Sequence, residues 1–204
     1  MDSRWGTRLA EWGYVALSVD SLGPRGIESV CEHGDPTDHP LDAYGALAYL
    51  TTQPFVIPER VAVMGASLGG RMALYAVERR FVAESQQRKF RAVVALYPSC
   101  KAVTGAMTAP TLIMIGELDD YTPPEACRRV ADRQSRTASD KENEVPVHLI
   151  VYPGAYHAFD APNLKTPRQL LGHHLEFNQA ATDQSIVALR QFLGATIGRK
   201  EQDK

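Results

Sequence analysis

The chain has 204 residues, 44% of them hydrophobic and 23% charged, and a formal net charge of -2. That is apolar material enough for one globular domain with a substantial core. Acids and bases are interspersed without a basic stripe, which argues against nucleic acid or an anionic membrane surface as a partner, and no apolar run approaches the roughly 18 residues that cross a bilayer.

In chain order, Trp5, Leu9 and Trp12 fall on one face of a helix that Gly13 closes. Tyr14 to Val19 reads as a buried strand ending at Asp20, followed by the turn-rich loop 21–26. A polar loop over 35–40 leads to a helix through Asp42, Ala43, Ala46, Leu47 and Leu50. Pro54 and Pro58 stop that helix, and the apolar run from Val61 ends at Gly65. Ser67 follows between glycines, and residues 72–77 continue at helical spacing.

The second half repeats the alternation. Ala92 to Tyr97 and Thr111 to Ile115 read as strands, with Pro98 ending the pairing of the first. Pro123-Pro124-Glu125 opens a helix for which Thr122 is the expected cap. Val145 to Tyr152 is the last strand, and a final helix runs from about Thr182 to Leu193. Residues 84–89 read as a solvated charged loop, and 198–204 as a polar tail. Near-continuously apolar strands alternating with helices predict a single α/β domain over 1–204. Its mostly parallel sheet has about five strands with helices on both faces.

Three cysteines form neither a disulfide framework nor a zinc set; Cys100 and Cys127 could meet if two sheet-end loops adjoin, which leaves Cys31 over. His33, His39, His148, His173 and His174 read as structural or exposed, and no metal site is expected.

In parallel sheets ligands bind beyond the carboxyl ends of the strands, and three strands here end in hydrolytic residue types. Gly65-Ala66-Ser67-Leu68-Gly69 is a G-x-S-x-G nucleophile elbow, whose flanking glycines avoid collision with the neighbouring strand and helix. Asp119 and Asp120 follow the next-to-last strand, and His157 follows the last. A serine hydroxyl is almost never ionised at neutral pH. It therefore needs His157 to take its proton and a carboxylate to orient the imidazolium that forms. Asp119 is the first choice for that carboxylate and Asp120 the second. Alone, either aspartate reads better as a turn former and His157 as a packed loop histidine; their joint placement in the order serine, acid, histidine points to catalysis. The Leu68 N–H is the expected oxyanion donor, and Tyr97, Tyr121 and Tyr156 are expected as pocket wall or core.

Gly-Ala-Ser67-Leu-Gly-Gly, Ile-Gly-Glu-Leu-Asp119-Asp-Tyr-Thr-Pro, Tyr-Pro-Gly-Ala-Tyr-His157-Ala-Phe and the stretch Leu9 to Ser21 together resemble the dienelactone hydrolase family of α/β-hydrolases over nearly the whole chain. The resemblance implies a small hydrolase that opens lactones or cleaves carboxylic esters without a cofactor, and it favours Asp119 through the Gly116-x-x-Asp motif. Ser67 stands where the family's prototype has cysteine. The arginine that binds substrate carboxylate after the histidine is absent from Phe159-Asp160-Ala161, which leaves Arg25 as the substrate-binding candidate with Tyr97 and Tyr121.

The family also has strands ahead of the Trp5 helix, one of them between the Tyr14 and elbow strands, and a His-Gly-type loop that supplies a second oxyanion N–H. Without them, ladder groups beside the elbow strand would lie unpaired, and a missing oxyanion donor costs about 2.7–4 kcal/mol of transition-state stabilisation. Two expectations follow: a serine esterase or lactonase on small molecules, or a non-catalytic or weakly active, N-terminally shortened hydrolase domain whose exposed sheet edge could pair with a second copy. The expected address is cytoplasmic by default, with secretion open because a signal could precede Met1.

Overall fold

The computed structural model describes residues 3–28, 39–82, 88–136 and 145–198. Cys31, His33, most of the 35–40 loop, most of the 84–89 segment and nearly all of the tail lie outside the described residues. Helix α1 spans Ser3–Glu11 and buries Trp5 and Leu9, with Gly13 at φ 85° turning the chain away. Helix α2 (His39–Leu50) precedes strand β1 (Ala62–Ala66), helix α3 (Leu68–Tyr75) and strand β2 (Ala92–Leu96). Strand β3 (Thr111–Gly116), helix α4 (Glu125–Arg136) and strand β4 (Val147–Tyr152) follow. A short hairpin, β5 (Arg168–Leu170) and β6 (His173–Leu175), leads to helix α5 (Gln179–Thr196).

The four long strands form one parallel sheet in the order β1-β2-β3-β4. Every residue of β2 and β3 is buried, so helices cover the sheet on both faces, as the unbroken apolar runs require. Helix α3 packs on β1 and β2, α5 on β2 and β3, and α4 on β4. Parallel pairing brings the carboxyl ends of all four strands to one edge, and every candidate catalytic side chain follows one of those ends.

The expected fifth strand is corrected. Residues 14–20 run without regular secondary structure and pair with no strand among the described residues, leaving Val15, Leu17 and Val19 exposed at 56%, 40% and 47%. Between this segment and the free edge of β1 lies a cleft of about 800 Å³, lined by Val15, Leu17 and Val19 on one side and by Val63, Gly65 and Ala66 on the other. The physical reason is pairing: a backbone joins a sheet only where its ladder groups find partners, and among the described residues β1 has them on its β2 side alone.

The β5–β6 hairpin has no counterpart in the sequence reading, because three-residue strands are too short to show a period. Its turn uses Leu171 at φ 51° and Gly172 at φ 84°, the left-handed pair that two-residue hairpin loops favour. Helix α5 starts three residues before Thr182, where the Asn178 side chain caps the Ala181 N–H at 3.0 Å. Cys100 and Cys127 do meet: they form a disulfide with Cα atoms 5.1 Å apart, joining the loop after β2 to the first turn of α4. Among the described residues no helix is long and apolar enough to cross a membrane.

Candidate active site

Strand β1 hands the chain to α3 through Ser67, whose φ of 51° and ψ of -116° lie outside the regions a serine normally occupies. The turn is this tight because backbone passes close to backbone. A Cβ on Gly65 would lie 2.1 Å from the Gly69 carbonyl oxygen, and one on Gly70 would lie 3.0 Å from that of Leu96. The expectation that both glycines flanking Ser67 are sterically required is corrected at Gly69, where an added Cβ meets nothing within 4 Å. Gly65 and Gly70 are the constrained positions. The Ser67 N–H donates to Leu96 O at 2.9 Å, which ties the elbow to β2.

Ser67 Oγ lies 2.9 Å from His157 Nε2, and His157 Nδ1 lies 2.8 Å from Asp119 Oδ2. With the Nδ1–H donated to the carboxylate, Nε2 is left as the acceptor facing the serine hydroxyl. Both His157 and Asp119 are buried, at 3% and 2% exposure. The other Asp119 oxygen accepts the Tyr121 and Thr122 N–H groups at 3.0 and 2.8 Å. A carboxylate held by backbone donors and an imidazole has its geometry set by the loop. Thr122 Oγ1 lies 3.0 Å from Asp119 Oδ2, 3.2 Å from His157 Nδ1 and 3.0 Å from Tyr97 O. Its expected role as a helix cap gives way to a position at the centre of the site.

Asp120 points elsewhere. Its carboxylate accepts the His174 N–H at 3.0 Å and anchors the β5–β6 hairpin, with half of the side chain exposed. Two aromatic rings bracket the imidazole edge-on: Tyr97 at 4.8 Å and Tyr121 at 5.0 Å between centroids. Tyr121 also stacks on His173 at 4.6 Å, and Tyr156 lies against His174 at 4.0 Å.

Arg25 forms a bidentate ion pair with Asp42 at 2.8 and 2.9 Å and donates to Ser21 O. The expected substrate-binding guanidinium thus has a partner inside the protein and braces the 21–27 loop. Just before that loop Asp20 accepts the Gly23 and Leu22 N–H groups, which hold its carboxyl below the usual aspartate range. Leu68 opens α3 directly after Ser67, where a first-turn N–H has no partner within its own helix. Among the described residues no cluster of three or more His, Cys, Asp or Glu could hold a metal. Sequence reasoning missed Thr122, Asp160 and Trp5 as parts of this region; the separation of Trp5 from Asp160 in the chain hides their hydrogen bond.

The family model for the dienelactone hydrolase family matches residues 3–197. No curated protein matches the chain. Among solved structures, it is similar to a dienelactone hydrolase-like promiscuous phosphotriesterase from metagenomic libraries, at 22% identity and TM-score 0.74, over 96% of this chain and 80% of that one. It is also similar to the carboxylesterase Cest-2923 from Lactobacillus plantarum, at 17% identity and TM-score 0.63, over 97% and 81%. A third likeness is to Thermogutta terrifontis esterase 2 phosphoramylated by tabun, at 16% identity and TM-score 0.55, over 80% and 66%. At these identities the likeness shows a shared α/β-hydrolase fold.

Proposed function

The chain belongs to the dienelactone hydrolase family and is a hydrolase, and from that premise we propose that it cleaves small carboxylic esters or lactones through an acyl-enzyme on Ser67. The observation that carries this reading is the unbroken hydrogen-bond path from Ser67 Oγ through His157 to Asp119, at 2.9 and 2.8 Å. In the first step the serine oxygen attacks the carbonyl carbon while His157 Nε2 takes the hydroxyl proton. In this reading the Leu68 N–H donates to the resulting oxyanion, and Asp119 stabilises the imidazolium. Collapse of the tetrahedral species breaks the ester C–O bond, and the leaving alkoxide receives the proton from His157. In a lactone that alkoxide stays tethered to the acyl group. Water then repeats the sequence at the acyl carbon, releasing the acid and restoring Ser67.

A fluorophosphonate probe is expected to label the protein at one equivalent, and Ser67→Ala to abolish both the labelling and the hydrolysis of p-nitrophenyl butyrate. Folded protein that takes no label would refute the acyl-enzyme reading. The open edge of β1 favours a second reading, a non-catalytic or weakly active domain, since among the described residues the strand presenting Ser67 has a ladder on one side only. Full labelling with slow turnover on every short ester and lactone in a panel would mark that case.

A further inference from the structure

Asp160, three residues after His157, is a buried carboxylate at 2% exposure that takes no part in the proton path. Its Oδ1 accepts the Tyr97 hydroxyl at 2.9 Å and its Oδ2 the Trp5 indole N–H at 2.6 Å, while its backbone carbonyl accepts a bond from the Arg4 guanidinium. A carboxylate removed from water must be met by donors. Here they come from the start of α1 and from the residue after β2.

The Tyr97 side leads to the reacting groups. Its ring meets the His157 imidazole at 4.8 Å with an interplanar angle of 67°, and its carbonyl lies 3.0 Å from the Thr122 hydroxyl that also contacts Asp119 and His157. Its φ of 38° is a left-handed conformation that a bulky residue adopts only when its surroundings impose it. The side chain is tied at its oxygen to Asp160, and the backbone at its N–H to Met114 O.

We propose that Asp160 is a positioning residue for His157 that acts through Tyr97. By anchoring the phenol it holds the ring against the imidazole and the Tyr97 carbonyl against Thr122. The proposal rests on His157 serving as the base in the reading above. The role is geometric, so it makes a distinction between two substitutions. An indole N–H only donates, whereas a tyrosine oxygen donates and accepts. In Asp160→Asn the amide oxygen can therefore face Trp5 while the amide nitrogen donates to Tyr97, and both links survive; Asp160→Ala removes both.

The test reads kcat and KM on p-nitrophenyl butyrate, together with the downfield proton resonance of the His157 Nδ1–H bonded to Asp119, which needs no turnover. Asp160→Ala is expected to lower kcat at least about tenfold with KM within about threefold, and to shift or broaden the imidazole signal. Asp160→Asn should retain kcat within about threefold and keep the signal. Tyr97→Phe should lower kcat and move the same signal, and adding Asp160→Ala to it should cost little more, because the two act in series.

The proposal is overturned if Asp160→Ala leaves kcat and the signal unchanged, if the two substitutions multiply, or if Asn is as damaging as Ala. Should Asp160→Ala fold poorly, an unchanged signal in Tyr97→Phe overturns it equally. Wild-type protein with neither turnover nor labelling would instead remove the functional reading, while the imidazole signal still decides whether Asp160 orients the ring.

Discussion

Asp119 and Asp120 are chemically identical neighbours, and the backbone turn between them sends one carboxylate into the protein and the other to the surface. Asp119 is buried against His157 and two backbone N–H groups, whereas Asp120 holds the hairpin through the His174 N–H. Asp119→Asn is therefore expected to lower turnover by about 10⁴-fold, through loss of the correct imidazole tautomer. Asp120→Asn should change it by no more than about threefold. Steady-state kinetics on one ester decides between them, and the reverse ranking would transfer the role. Ser67 and His157 were legible in the chain because each follows a strand end in hydrolase order, and the Gly116-x-x-Asp spacing favoured Asp119 over its neighbour. Thr122 was not legible as a contact of the site: a threonine before a proline-opened helix looks like a cap, and only the folded loop shows its hydroxyl shared among Asp119, His157 and Tyr97.

At the scale of elements, the elbow depends on where backbone meets backbone. Glycine spacing alone cannot tell the crowded positions from the free ones. Gly65→Ala puts a methyl 2.1 Å from the Gly69 carbonyl oxygen, which the strand–helix junction can relieve only by moving, so a loss above about 4 kcal/mol is expected. Gly69→Ala meets open space inside α3, and should stabilise by about 0.5–1 kcal/mol through the better helix propensity of alanine. Chemical denaturation of the two variants measures both; a destabilised Gly69→Ala would show that the elbow constrains that position after all. The elbow strand, β2, β3 and β4 were legible from their apolar runs, and α4 and α5 from their helical signals. The β5–β6 hairpin was not, since three-residue strands carry no period.

Among the described residues the sheet stops at β1, and the segment that reads as its fifth strand, 14–20, lies across an apolar cleft of about 800 Å³ without a ladder. Amides held in a ladder exchange only through larger openings, while unpaired ones exchange freely. Residues 15–19 are therefore expected to exchange with deuterium at nearly unprotected rates, while β2 and β3 retain protection close to that of global unfolding. Protection of 15–19 equal to that of β2 would mean that a partner strand closes the cleft. Tyr14 to Val19 reads as a buried strand because it is apolar but for Ser18 and does not alternate; burial, however, is a property of what lies beside a strand.

The class of fold, the strand ends that bear Ser67, Asp119 and His157, and the order of those residues are readable from the chain, because hydrophobic period, glycine placement and residue type are all local. Only the folded chain shows that Thr122 and Tyr97 frame the imidazole, that Asp160 joins Trp5 to Tyr97, and that 14–20 has no ladder among the described residues. Each of these depends on groups distant in the chain meeting within hydrogen-bond range, or failing to, and no local pattern records such a meeting.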